Sequence, residues 1–118
     1  MHDFGAKFRL KKKSDIRSLV NSGKFIRFKS FNVLLEKKNE DFSRIAISVS
    51  KKSGNAVVRN KVKRNIRESF RRSSIRESGI EVLFMLKKKK IDMAKWNGFA
   101  VEISNDFNKL ENLCRDLK

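Results

Sequence analysis

Residues 51–72, KKSGNAVVRNKVKRNIRESFRR, set the reading of the whole chain. Val58, Val62, Ile66 and Phe70 recur every four positions, so they form one slowly drifting stripe on a helix. Off that stripe the residues are basic or small and polar, with nine Lys/Arg against one Glu in the stretch. Arg59, Lys63, Arg67 and Arg71 make a neighbouring ridge at the same spacing, and Asn60, Lys61, Arg64 and Arg72 fill the solvent side. Like charges so spaced repel, at roughly 0.2–0.5 kcal/mol per pair, and a polyanion would remove that cost. The stretch therefore predicts a helix over 56–73, anchored along one face and turned toward phosphates with the other. The competing reading is a basic helix that is merely solvated, although balanced charge would serve solubility as well. Residues 53–55 read as a turn with Asn55 as N-cap, and the free N–H groups at the helix start offer another place for a phosphate.

A chain of 118 residues is expected to form one domain, here 1–118, and can bury about two thirds of its unfolded surface. Its 39% hydrophobic content suffices for a core. The net charge of +17, from 30 Lys+Arg against 13 Asp+Glu, points to nucleic acid or an anionic membrane surface. The longest apolar run, 82–86, is too short to span a bilayer, and residues 1–13 lack the apolar core of a secretory signal. A soluble cytoplasmic protein is expected, with no membrane partner and no small-molecule substrate.

Side chains for chemistry are scarce. Cys114 is the single cysteine, falls on an apolar helical stripe and reads as core; His2 is the single histidine and sits at the terminus. One of each builds no ordinary zinc site and no credible nucleophile–base pair. Glu36, Glu40 and Asp41 lie by a solvated turn, and Asp92, Glu102 and Asp106 show no metal-ligand spacing. No catalytic or metal-binding residue is assigned, which disfavours a self-sufficient nuclease.

Residues 1–13 form a basic arm that either docks through Phe4, Phe8 and Leu10 or stays a flexible tail. Ser14 is the expected N-cap of a first helix over 15–22, closed by Gly23. Residues 24–37 read as extended. Phe25, Phe28 and Phe31 are three apart, which does not suit one face of a flat strand, so a bulge or break is expected between 28 and 30. Arg27 and Lys29 lie among these rings, the mixture that single-stranded nucleic acid needs, although any one Phe is more readily core. Residues 38–43 read as a polar turn. Residues 44–50 read as a strand with Ile45, Ile47 and Val49 on one face and the small Ala46, Ser48 and Ser50 on the other. Residues 80–87 read as a buried strand. The lysine run 87–90 reads as solvated or as a further phosphate contact. Phe99, Val101 and Ile103 alternate as in a short strand, Trp96 is expected to pack, and Ser104 is the expected cap of a final helix carrying Phe107, Leu110, Leu113, Cys114 and Leu117.

The run SVSKKSGNAVVRNKVKRNIRESFR, residues 48–71, closely resembles the signature of the bacterial ribonuclease P protein family. Gly54 and Ala56 match its Gly-x-Ala turn. Arg59, Asn60, Lys63, Arg64 and Arg67 match its Arg-Asn-Arg-type helix, with Lys61 where arginine is frequent. RLKKKSDIRSLVNSGKFIRFKSFNVLL, residues 9–35, resembles the family's first helix and strand, and 88–103 looks longer than usual. The resemblance implies an α+β domain, helix-strand-strand-strand-helix-strand-helix, with about four strands, three helices and a left-handed βαβ crossover; general rules alone would favour a right-handed one. It implies the protein subunit of ribonuclease P, which binds the catalytic RNA and the 5′ leader of precursor tRNA while the RNA, with Mg²⁺, cuts the phosphodiester bond. The implied RNA-binding residues are Lys51, Lys52, Arg59, Asn60, Lys61, Lys63, Arg64, Arg67 and Arg71. Ile16, Val20, Phe31 and Leu34 would line the leader cleft. Several of these positions are aromatic in many members, and Ile16, Val20 and Leu34 cannot stack on bases as rings do. The alternative is a ribosomal or general RNA-binding protein with no processing role.

Overall fold

The computed structural model describes residues 6–87 and 89–116. The sequence expectations for His2, Phe4, Lys88 and Leu117 lie outside them. In chain order the elements are α1 (Lys13–Ser22), β1 (Lys24–Arg27), β2 (Phe31–Lys37), β3 (Arg44–Ser48), α2 (Ala56–Arg71), β4 (Ile80–Leu86) and α3 (Trp96–Arg115), with short 3₁₀ turns between some of them. The four strands form one mixed sheet in the order β1-β2-β4-β3. β1/β2 and β2/β4 are antiparallel; β3 and β4 are parallel neighbours, joined through α2. The α+β architecture with four strands and three helices is therefore as expected.

β4 is an interior strand with five of its seven residues buried, and its sequence reads as an almost unbroken apolar run. One face of the sheet carries Phe31, Val33, Leu35, Ile45, Val82 and Phe84, all buried beneath α2 and α3. The rings of Phe84 and Phe107 stack 5.2 Å apart, and Phe31 meets Phe84 edge-on at 5.3 Å. α2 sets Val62, Ile66 and Phe70 into this core at 0% exposure. Burial of such side chains contributes about 1.5–3 kcal/mol each, which outweighs the few tenths lost per like-charged pair on the outer face.

Asn55 caps α2 as expected, its side-chain oxygen accepting from the Val58 N–H at 3.0 Å. Gly54 before it has φ 155°, and a Cβ there would lie 2.8 Å from the Val58 Cβ, so only glycine fits. α1 differs from expectation at its start. Lys12, not Ser14, is the N-cap, and its carbonyl accepts from the N–H groups of Asp15 and Ile16 at 3.1 and 3.2 Å, so the first turn closes on backbone alone. The break after Phe28 is a hairpin rather than a bulge: Arg27 pairs with Asn32, and the Phe28 N–H donates to the Phe31 carbonyl at 3.0 Å.

Two further corrections concern the C-terminal third. Residues 99–103 are helical, not a strand, because Phe99 and Ile103 continue the spacing of Phe107, Leu110 and Cys114 on one helix face, while Val101 points outward at 59% exposure. Ser104 then lies inside α3 and caps nothing. Cys114 is buried in the core as expected, and burial, followed by Glu111, pushes its thiol up to about 11.

Candidate nucleic-acid interface

Because one side of α2 is fixed in the core, its cations leave in three directions. Lys61 reaches toward the start of α3, its Nζ 5.1 Å from the Trp96 ring centroid. Asn60 and Arg64 are exposed on the outer side. Lys63 and Arg67 are half-buried and turn toward the edge of β3. Arg59 donates from Nε to the Gly54 carbonyl at 3.2 Å, which ties the ridge to the turn that begins the helix. Arg71 is engaged by Glu68 at 2.5 Å, and that bond is the main reason the Glu68 carboxyl lies below its usual range. Lys51 and Lys52 are exposed on the 3₁₀ turn ahead of α2. All nine basic or amide residues expected to meet RNA thus lie on α2 or the turn before it, six of them between Arg59 and Arg67.

The sequence reading missed what the N-terminal arm adds. From Ala6 onward the arm docks. Phe8 packs against Phe42 and Phe70 at 5.9 and 5.8 Å, Leu10 is buried, and the Leu10 N–H donates to the Ile45 carbonyl at 2.8 Å. Arg9 pairs with Ile45 in a parallel bridge, so the arm covers the outer edge of β3. This carries Arg9 and Lys11 to Lys63 and Arg67, and the four cations surround a cleft of about 250 Å³ beside Ala46 and Ile47. Burial, followed by repulsion from Arg9, lowers the Arg67 guanidinium from its ordinary value. A cleft lined by like charges favours an anion. The signal was present in the sequence: Phe8 and Leu10 alternate with Lys7, Arg9 and Lys11 as a strand-like segment would.

The opposite sheet face carries Phe25, Arg27, Asn32, Leu34 and Glu36, and α1 packs across part of it. The hydroxyls of Ser18 and Ser22 donate to the Glu36 carboxylate at 3.5 and 3.4 Å. Leu19 is buried, Ile16 and Leu34 are half-buried and Val20 is 59% exposed. Phe31 does not belong with them. It points to the other face, is 0% exposed and is locked among Phe28, Phe84 and Phe107, so it cannot line a cleft under α1. The period of two along β2 separates Phe31 from Leu34, three residues away.

A family profile described as Ribonuclease P matches residues 4–111. The ribonuclease P protein component of Staphylococcus haemolyticus is 45% identical over 64 residues, covering 54% of this chain and 56% of that protein. That of Clostridium kluyveri is 34% identical over 107 residues, covering 87% and 90%. The chain spans little more than half the length of the staphylococcal relatives it matches. Among solved structures, the Staphylococcus aureus RNase P protein superimposes with a TM-score of 0.70 at 30% identity, over 90% of this chain and 94% of that one. The Thermotoga maritima RNase P protein gives 0.69 at 31%, over 93% and 97%.

Proposed function

This chain belongs to the ribonuclease P protein family, and from that premise we propose that it is the protein component of a cytoplasmic ribonuclease P. It binds the catalytic RNA and the 5′ leader of precursor tRNA, and so assists removal of the leader to give the mature tRNA 5′ end. The observation that carries this reading is α2, buried along Val62, Ile66 and Phe70 and cationic around the rest. Lys51, Lys52, Arg59, Asn60, Lys61, Lys63, Arg64, Arg67 and Arg71 are its proposed contacts to the catalytic RNA, joined by Arg9 and Lys11 at the β3 edge. Ile16, Val20 and Leu34 are proposed to border the leader.

The protein's part is electrostatic and positional. Each phosphate it neutralises releases counterions, which supplies affinity without reading bases. Among the described residues no group of three or more His, Cys, Asp or Glu is placed to hold a metal ion. The Mg²⁺ of the reaction is proposed, from the family, to be held mainly by the RNA. Competition binding separates this function from general RNA binding. The protein should prefer a bacterial ribonuclease P RNA over an unrelated folded RNA of equal length by about tenfold or more, or about 1.4 kcal/mol. Equal affinity for the two would favour the general RNA-binding reading.

A further inference from the structure

We propose that Phe25, steadied by Arg27, is the residue on which a leader base stacks. This rests on the leader contact proposed above and names the side chain that would confer its preference for unpaired bases. Six large apolar side chains are exposed among the described residues, and Phe25, at 45%, is the single aromatic one. It stands opposite Leu34 in the β1/β2 register, so both project from the sheet face that α1 partly covers. β1 is the outermost strand of the sheet on that side. The Arg27 guanidinium carbon lies 5.7 Å from the Phe25 ring centroid. A cation at that distance is attracted to the ring face, restricts its motion and stays within one nucleotide's reach of a phosphate. Ring and cation side by side are the two components of a single-strand platform: the base stacks and its backbone is neutralised.

The neighbouring residues strengthen the assignment by what they lack. Ile16, Val20 and Leu34 are aliphatic and offer no π-face, and Phe28 and Phe31 are buried in the core. Stacking on this face of the molecule therefore falls to Phe25. Burial alone gives no reason for an aromatic ring at this position, because 45% of it stays in water.

The test uses the full chain assembled with a bacterial ribonuclease P RNA, and precursor tRNAs carrying an abasic nucleotide at one leader position at a time. With the unaltered protein, one position should lose about fivefold to a hundredfold in affinity when its base is removed. Phe25→Ala should abolish the sensitivity at that position and lower the ratio of precursor to mature tRNA affinity by the same factor. Phe25→Leu, which keeps apolar bulk without a ring, should behave like Phe25→Ala, whereas Phe25→Trp should keep the sensitivity. Should Phe25→Ala fail to fold, the Leu and Trp variants carry the comparison. Unchanged abasic sensitivity in the Ala or Leu variant would overturn the stacking role while leaving leader contact standing. Equal affinity of the unaltered complex for precursor and mature tRNA would instead overturn leader contact, and the stacking role with it.

Discussion

Replacing Arg64 by Gln removes one exposed cation from the outer side of α2 and touches none of its buried anchors. The cost to the fold is bounded. Arg64 acts electrostatically on Glu68 one turn later, and an ion pair so exposed to water adds little to stability. The cost to RNA binding is larger. Each phosphate contact contributes about 0.9 to the slope of log affinity against log salt on a duplex. Relative to 1 M salt, one contact is then worth about 0.9 log unit at 0.1 M, roughly eightfold in affinity. Arg64→Gln should therefore bind the catalytic RNA about eightfold more weakly at 0.1 M salt, with a slope shallower by about 0.9. Arg64→Glu should lose more, because it adds repulsion to the lost contact. The assay is filter binding across a salt series, with thermal unfolding alongside. Lys109→Gln, on α3 beside the β1–β2 turn, is the control and should leave the slope unchanged. A normal slope for Arg64→Gln, or loss of the fold, would refute the assignment of this helix side to phosphates.

Two further expectations concern stability. Asp106 is 2% exposed, and one of its oxygens accepts from the Ser30 N–H at 2.7 Å and the Ser30 hydroxyl at 2.5 Å, pinning the β1–β2 hairpin to α3. Hydrogen bonds to a charged group are worth about 1.5–3 kcal/mol each, so with two of them Asp106→Ala should lose about 3–6 kcal/mol in urea unfolding; a loss below about 1 kcal/mol would deny the pin its role. Glu81 is the second case. Its carboxyl lies 3.6 Å from Arg44 and 4.0 Å from Lys38, yet burial outweighs both cations and raises its pKa. An acid whose folded pKa is raised is favoured folded while protonated, and that advantage is lost as pH rises from the unfolded value through the folded one. Glu81→Gln, which mimics the protonated acid, should therefore gain stability relative to the parent between acidic and neutral pH. Urea midpoints measured across that range check it, and a gain that instead shrinks toward neutrality would contradict it.

Legibility in the sequence followed the physics of each segment. α2 was readable because four apolar residues at one spacing stand out against a basic background, and Asn55 and Gly54 mark its start. The strands 44–48 and 80–86 were readable from apolar alternation and apolar density. α3 was misread over 99–103 because three apolar residues in alternation satisfy a strand locally. The longer series Phe99, Ile103, Phe107, Leu110 and Cys114 decides for a helix only when taken whole, and Gly98 inside the first turn weakens the local helical signal. The leader face was half legible. Spacing revealed the break between Phe28 and Phe31, but sequence does not say which strand face meets the core. Phe31, expected at the leader, is consequently core, and Phe25, given no place of its own, is exposed. The cationic cleft at the β3 edge needed the docked arm, whose contacts join residues 9–11 to 63–67 and leave no local pattern.

The central claim, that the chain assists an RNA catalyst, is tested most directly by cleavage of a precursor tRNA with a 5′ leader at low Mg²⁺. The protein alone, a bacterial ribonuclease P RNA alone and their mixture are compared. Cleavage at the mature 5′ end by the mixture, with neither component cutting efficiently alone, is the predicted result. Cleavage by the protein alone, or a mixture no faster than the RNA, would contradict it.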